Sequence, residues 1–564
     1  MRSPWVQLVD SEGKAQNAYG RPLGTTELGF YWDHVFNGTA TTIQDIQVEV
    51  AAGSEETLSE KAVERAWVRL KQTFPLLGAQ LVEHPDLQGV DFTVRDENLE
   101  AARCGELNFE TAGSSDEVQA FVEHLMNGPT TLNNDKVAEL WVIHRKDAPR
   151  HFHLLLVVAH VITDGMAGAT LMRHLCQELS LPSVDPIPAL WERLQVVPAL
   201  ENLYPSVLMS APRRRWHQAI ARVIYDIRST KMQGGHTLPR KIPKSESSSL
   251  AVSRSDRLEL SVSTSLGIIA TCRRLGITFG NALPVLSQIA HSRVLHRLRF
   301  QKGEISDSDW AFRLQQPMHF TGPLNLRPYL DEDWYKNKGG ASEVCLAISF
   351  YYFTLPSLPR SSLPLDSWHD KYPPFESLLS RERFLFRSRM VRQQTAAITK
   401  HPLFVDISAC RAPARVERQR NFAVEWRAAQ KDGSVKLNSA KATNDAGDVS
   451  LVLTNGGASL GNRDPLMPYS YPVLKEESGE KPQTTLKVID VLSYLRCRPT
   501  ELYLGASMSR QRLCFFLYWD SNIYPDDLVR EWAAEVKAAA LHFLGQCPQE
   551  DPAANGASST RPKL

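Results

Sequence analysis

The stretch LLLVVAHVITDGMAG, residues 154–168, runs six apolar residues into His160, with Asp164 four positions later and Gly165 closing the turn. Alternation along a strand places Phe152, Leu154, Leu156, Val158 and His160 on one face. His160 therefore terminates a buried row beside a Thr163-Asp164-Gly165 turn. A histidine at such a place stays partly desolvated while facing an opening. Its neutral form then persists near pH 7, which suits a general base.

Three other readings of the same residues are open. A core histidine with a helix-capping aspartate has this pattern too, since Asp164 can cap the following segment GMAGATLMRHLCQELS. Metal binding would use His151 and His153, which share a strand face, or His160 and Asp164 as i,i+4 neighbours on a helix. The odd- and even-numbered histidines point to opposite faces, however, and the strand keeps His160 out of a regular helix, so no metal site is expected. A serine-hydrolase triad lacks its GxSxG elbow.

Composition bounds the rest. The 564 residues have an ordinary globular balance, 43% hydrophobic and 23% charged, enough for two large domains. Lys+Arg at 64 against Asp+Glu at 63 leaves a net charge of +1. That argues against a general nucleic-acid binder or a protein held to membranes by charge. None of the eight cysteines forms a CxxC pair or a zinc spacing, and most lie in apolar or mixed segments, as reduced core cysteines do. The N-terminal residues MRSPWVQLVDSEGKAQ have no apolar core of a signal peptide, and the apolar runs are too short to span a bilayer. The expected compartment is the cytoplasm, where the Asn37-Gly38-Thr39 sequon stays unused.

Outward from the motif, IQDIQVEVAA alternates as a strand does, and SEKAVERAWVRLKQTFPLLGAQLVE is an amphipathic helix with a stripe of Ala62, Ala66, Leu70 and Phe74, stopped by Pro75. AELWVIHRK and HFHLLLVVAHV are neighbouring strands. Residues 229–256, polar and rich in Gly, Pro and Ser, are expected to be a crossover or linker. Residues 430–448 are an expected insertion, and 547–564 an expected disordered tail. The predicted organisation is an α/β chain with an N-terminal lobe at 1–228, the crossover at 229–256 and a C-terminal lobe at 257–546.

The frame AHVITDGMAG resembles the HxxxDG signature of the CoA-dependent acyltransferase superfamily, which includes chloramphenicol acetyltransferase, plant BAHD acyltransferases, peptide-synthetase condensation domains and alcohol acetyltransferases. AWVRLKQTFPLLGAQL is similar to the family's first helix, and LGITFGNALPVLSQIAHSRVL to the helix after its crossover. GPLNLRPYL is similar to its N-x-R strand end, with Asn325 and Arg327, and VSLVLTNGGASLGN to a late strand lining its channel. RLCFFLYWDSNIYPDDLVREW resembles its last core strand and helix. The DFGWG motif of the plant branch is absent. The look is closest to fungal alcohol acetyltransferases and trichothecene O-acetyltransferase-like enzymes.

The resemblance implies two similar-sized chloramphenicol-acetyltransferase-like lobes joined by a crossover, with a tunnel between them and His160 midway. It implies an O-acyltransferase of secondary-metabolite biosynthesis, with His160 as general base. Acetyl-CoA or another acyl-CoA is the co-substrate, a hydroxylated small molecule the acceptor, and no bound cofactor or metal is needed. Asp164 would turn from the channel and pair with Arg327 to lock the His160 loop. Gly165 would permit a tight turn where a side chain would block the tunnel. Thr454 or Asn455, with Asn325 nearby, could serve the oxyanion or line the channel; a strand end making local turn bonds explains the same residues. The protein is expected to be a monomer. A condensation-type enzyme using carrier-bound substrates and a non-catalytic acyltransferase-like binding protein are the alternatives. The basic stretches 380–394 and 213–215 could meet CoA phosphates, or be solvated helix faces.

Overall fold

The computed structural model describes residues 5–241, 250–368, 372–431, 451–473 and 483–545. The expected insertion, from residue 432 on, and the expected tail lie outside them. The described residues form a mixed α/β fold with three sheets. The motif's strand, His151–Val158, is central in a six-stranded sheet, flanked by Thr42–Val50 and Ala138–Arg145, both antiparallel to it. Leu154 to Val158 are buried on both faces, so the run is continuous and not alternating, as suits a central strand covered on each side. The second large sheet has seven strands, ordered Ile348–Leu355, Met318–Asn325, Leu453–Gly456, Leu502–Ser509, Arg512–Asp520 and Ser253–Glu259, with Ser459–Asn462 also on Leu502–Ser509. A smaller sheet of four strands holds Val6–Val9, Ala15–Pro22, Val90–Arg95 and Gln80–Glu83.

Each large sheet has its own core. Helix Glu60–Thr73, capped by the Ser59 hydroxyl, buries Val63, Ala66, Trp67 and Leu70 in the first. Helix Phe279–Phe300, opened by a capping box between Thr278 and Asn281, runs through the second with Asp526–Leu544 packed against it. The sheets do not divide at the crossover. Strand Leu486–Leu495, late in the chain, pairs antiparallel with Thr42–Val50 along its whole length and so completes the first sheet. Residues 326–348 also contribute Leu326, Leu330, Trp334 and Leu346 to the first core. The stretch expected as linker differs as well: Ser253–Glu259 is a strand, held antiparallel to Arg512–Asp520. Its Ser and Arg side chains hide a strand that lies at the sheet's edge, where one flank needs no apolar cover.

Candidate active site

The strand carrying the motif ends at Val158, and His160 sits two residues beyond it, in the turn that leads into helix Gly165–Ser180. That helix has the bounds its sequence implies. Asp164 is its N-cap: one carboxylate oxygen accepts from the Met166 and Ala167 amides, each at 3.0 Å. The other oxygen accepts from the Arg327 guanidinium at 2.8 Å and from the Ala347 amide at 2.9 Å. Cap and ion pair are thus two uses of one side chain.

Arg327 is fully buried, at 0% exposure. Its second terminal nitrogen donates to the carbonyls of Glu343, at 3.1 Å, and Cys345, at 2.8 Å. Asn325 accepts from the Arg327 amide at 3.1 Å and from its guanidinium at 3.3 Å, so Asn325 belongs to this arginine's support. Burial works against ionisation of Asp164, but the Arg327 charge, its hydrogen bond and the amides of Ala167 and Ala347 outweigh it. The carboxyl is held below its ordinary range.

His160 is partly exposed, and its ring stacks on Phe30 with centroids 4.2 Å apart. Phe30 also lies under the guanidinium carbons of Arg415, 4.5 Å from the ring centre, and Arg498, at 5.5 Å. Both arginines bind Asp33, at 2.6 and 2.7 Å. Burial, with the charges of Arg498 and Arg415 added, pushes the imidazole down to about 4, against the opposing pull of its own backbone and of Asp164. The ring is therefore neutral at pH 7 and able to accept a proton. Phe30, Asp33, Arg415 and Arg498 have no motif around them. Phe30 and Asp33 come from helix Thr25–Val35, Arg415 from helix Ala412–Lys431 packed on it, and Arg498 from the segment after strand Leu486–Leu495.

Gly165 does not have the backbone role expected of it. Its φ is not in the left-handed region, and a Cβ there would meet nothing within 4 Å. The turn is made by the Asp164 cap instead, and the space beside Gly165 is open. Thr454 and Asn455 stand apart, on strand Leu453–Gly456 of the second sheet. The Thr454 hydroxyl donates to the His236 carbonyl at 3.0 Å, which spends its one hydrogen. Asn455 accepts from the Ser287 hydroxyl at 2.7 Å and donates to the Gly456 carbonyl at 2.7 Å, leaving one amide hydrogen for another partner. Among the described residues no hydrogen bond joins either side chain to His160.

Between the two large sheets lies a cavity of about 340 Å³, lined by Ser493 and Tyr494 from strand Leu486–Leu495, by Cys514, Phe516 and Tyr518 from the second sheet, and by Arg463 just past strand Ser459–Asn462. His160 is not among its lining residues. Among the described residues, no group of three or more His, Cys, Asp or Glu side chains could hold a metal ion, and no helix is long and apolar enough to cross a membrane.

No protein-family model matches the chain, and no curated protein matches it in sequence. Solved structures match it in fold. The chain has the two-lobed fold of a group of acyltransferase and condensation structures. One of them is the TRI3 trichothecene 15-O-acetyltransferase of Fusarium sporotrichioides: 11% identity, TM-score 0.66, with 96% of this chain and 98% of that one covered. Another is the first condensation domain of the calcium-dependent antibiotic synthetase, at 12% identity and TM-score 0.56 over 94% and 96% of the two chains. The condensation domain of the Monacolin K polyketide synthase MokA matches at 8% identity and TM-score 0.55 over 93% and 97%.

Proposed function

We propose that the protein is an O-acyltransferase that moves an acyl group, acetyl in the simplest case, from CoA to a hydroxyl of a small metabolite. The observation that carries this reading is the arrangement at the strand end. A neutral, partly exposed His160 stands on a turn whose Asp164 is directed away from it into Arg327. His160 is the base. It takes the hydroxyl proton as the oxygen attacks the thioester carbonyl carbon. When the C–S bond breaks, the imidazolium returns that proton to the thiolate, so ester and free thiol leave and the enzyme is unchanged. Asp164 and Arg327 take no part in proton transfer. They fix the turn that carries the base. The substrates meet beside the exposed part of the His160 ring, and bringing them together removes up to roughly 7–11 kcal/mol of barrier in ideal cases.

Thiol release from acetyl-CoA, with and without candidate alcohols, tests the activity. His160→Ala is expected to fold as the parent does while turnover drops by about 10²–10⁴-fold, the usual worth of a general base. Full transfer by the purified variant would remove His160 from the chemistry. The likeness to condensation domains supports a second reading, in which the acyl donor is carried on a protein-bound thiol. A chain that ignores acetyl-CoA but accepts acyl groups from a loaded carrier protein would favour it.

A further inference from the structure

The basic triplet Arg213-Arg214-Arg215, read above as a candidate contact for CoA phosphates or a solvated helix face, is not used by the chemistry at His160. It opens helix Ala211–Thr230, which would be about 30 Å long. One side of this helix is packed: Ala221 is sealed against Leu403 and Ile407, with Ile224 and Tyr225 beside it. A second apolar stripe faces outward. Trp216, Val223 and Ile227 are 66%, 59% and 52% exposed, and their spacing of seven and four residues puts them on one face. Leu208, 72% exposed, continues the stripe from the short turn Pro205–Leu208 just before the helix. Around the stripe stand four exposed cations, Arg213, Arg215, Arg222 and Lys231. The helix has one acid, Asp226, and it is paired with Arg222 at 3.1 Å.

We propose that this helix is a docking face for an anionic phospholipid surface. The chain's net charge of +1 does not oppose this, because the excess is local. A large apolar stripe in water is normally covered by something. Here a tryptophan, which favours the headgroup boundary, lies within the stripe, and arginines at its borders can reach outward to lipid phosphates. Charge selects the occupant. A second copy docked face to face would set these cations against their own symmetry mates, whereas an anionic bilayer neutralises them. The helix would lie along the surface without crossing it.

Sedimentation of the full chain with lipid vesicles tests the idea. Vesicles of phosphatidylcholine and phosphatidylserine in equal parts should carry the protein down, phosphatidylcholine alone should not, and added salt should weaken the binding. Arg213→Gln with Arg215→Gln should lower the affinity by roughly fivefold per cation removed. Trp216→Glu with Val223→Glu should lower it at least about tenfold. The arginine pair stands in solvent, so its result holds even if the second variant melts early. Equal sedimentation with and without phosphatidylserine would overturn the proposal, as would parental binding by the arginine variant. A dimer in ultracentrifugation that Trp216→Glu dissolves would assign the stripe to self-association instead.

Discussion

At the scale of single residues, the setting of His160 is chiefly one of desolvation. The Phe30 ring covers one face of the imidazole, and Arg415 and Arg498 gather over the same phenyl. An aromatic in that place excludes water without offering a hydrogen bond, so it disfavours the imidazolium. Phe30→Ala should readmit water and move the His160 pKa up from about 4 toward its ordinary 6.5. The sign follows from which form works: the neutral ring is the base, so the acid limb of the pH–rate profile should move to higher pH in the variant. A histidine NMR titration reads the same shift without any substrate. An unmoved His160 resonance would mean that the two arginine charges, not the phenyl, set the shift. Neither Phe30 nor the arginines could be found by reading outward from the motif. They come together from a helix near the start of the chain, a helix near residue 415 and the segment after strand Leu486–Leu495, and no local pattern encodes that approach.

At the scale of elements, the strand–turn–helix around the motif is legible because each of its causes is local. A long apolar run makes a covered strand, an aspartate caps a helix, and the helix of small and apolar residues begins at the next position. Arg327 is legible as a partner of Asp164 only through the family resemblance of NLRPYL, since no spacing rule connects side chains 163 residues apart. Strand Leu486–Leu495 shows the limit from the other side. Nothing in its sequence says which sheet it joins, and its Ser493 bonds Gln44 across 449 residues of chain. The Asp164–Arg327 joint ties the first sheet's turn to the strand end of the second, and its two functions can be separated. Asp164→Asn keeps an oxygen for the Met166 and Ala167 amides and loses the charge, while Asp164→Ala loses both. Removing either partner of the pair should destabilise by roughly 3–5 kcal/mol, since the other charge is left buried alone. The order expected from chemical denaturation is parent, then Asp164→Asn, then Asp164→Ala. A double-mutant cycle with Arg327→Met should show coupling of at least about 1 kcal/mol. Additive losses would mean that the carboxylate acts only as a helix cap.

At the scale of the whole molecule, the two cores are locked to each other by the crossing strand and by the Arg327 joint, so they should lose structure together. Acid is the agent to reveal this, because both cores hold neutral histidines. His34 lies on helix Thr25–Val35 and His160 on the turn after the first sheet's central strand, while His291 and His296 lie on helix Phe279–Phe300 of the second core and the His236 carbonyl accepts from Thr454 of the second sheet. Burial pushes His34, His160 and His296 down to about 4, and His236 and His291 to about 3. Below pH 6.5 the unfolded chain therefore binds more protons than the folded one. The stability these groups contribute is complete above 6.5 and is lost as pH falls toward 4 and then 3. Two buried carboxyls oppose them: burial raises Glu343 to about 7 and Asp520 to about 6, so the folded state takes up those protons first and gains as pH falls. Individual displacements are of similar size, and five histidines outweigh two carboxyls. His174 and His319 add to the first side, Glu201 and Glu535 to the second. Melting temperature should thus decline from pH 6.5 to pH 4.5, before most ordinary carboxylates titrate. The decline should occur as one transition, recorded alike by near-ultraviolet circular dichroism and by calorimetry. His291→Gln should flatten the slope, because it removes one titrating group from the second core and leaves the first untouched. Two resolved transitions, with only one of them sensitive to His291→Gln, would show that Leu486–Leu495 and the Asp164–Arg327 joint do not couple the cores.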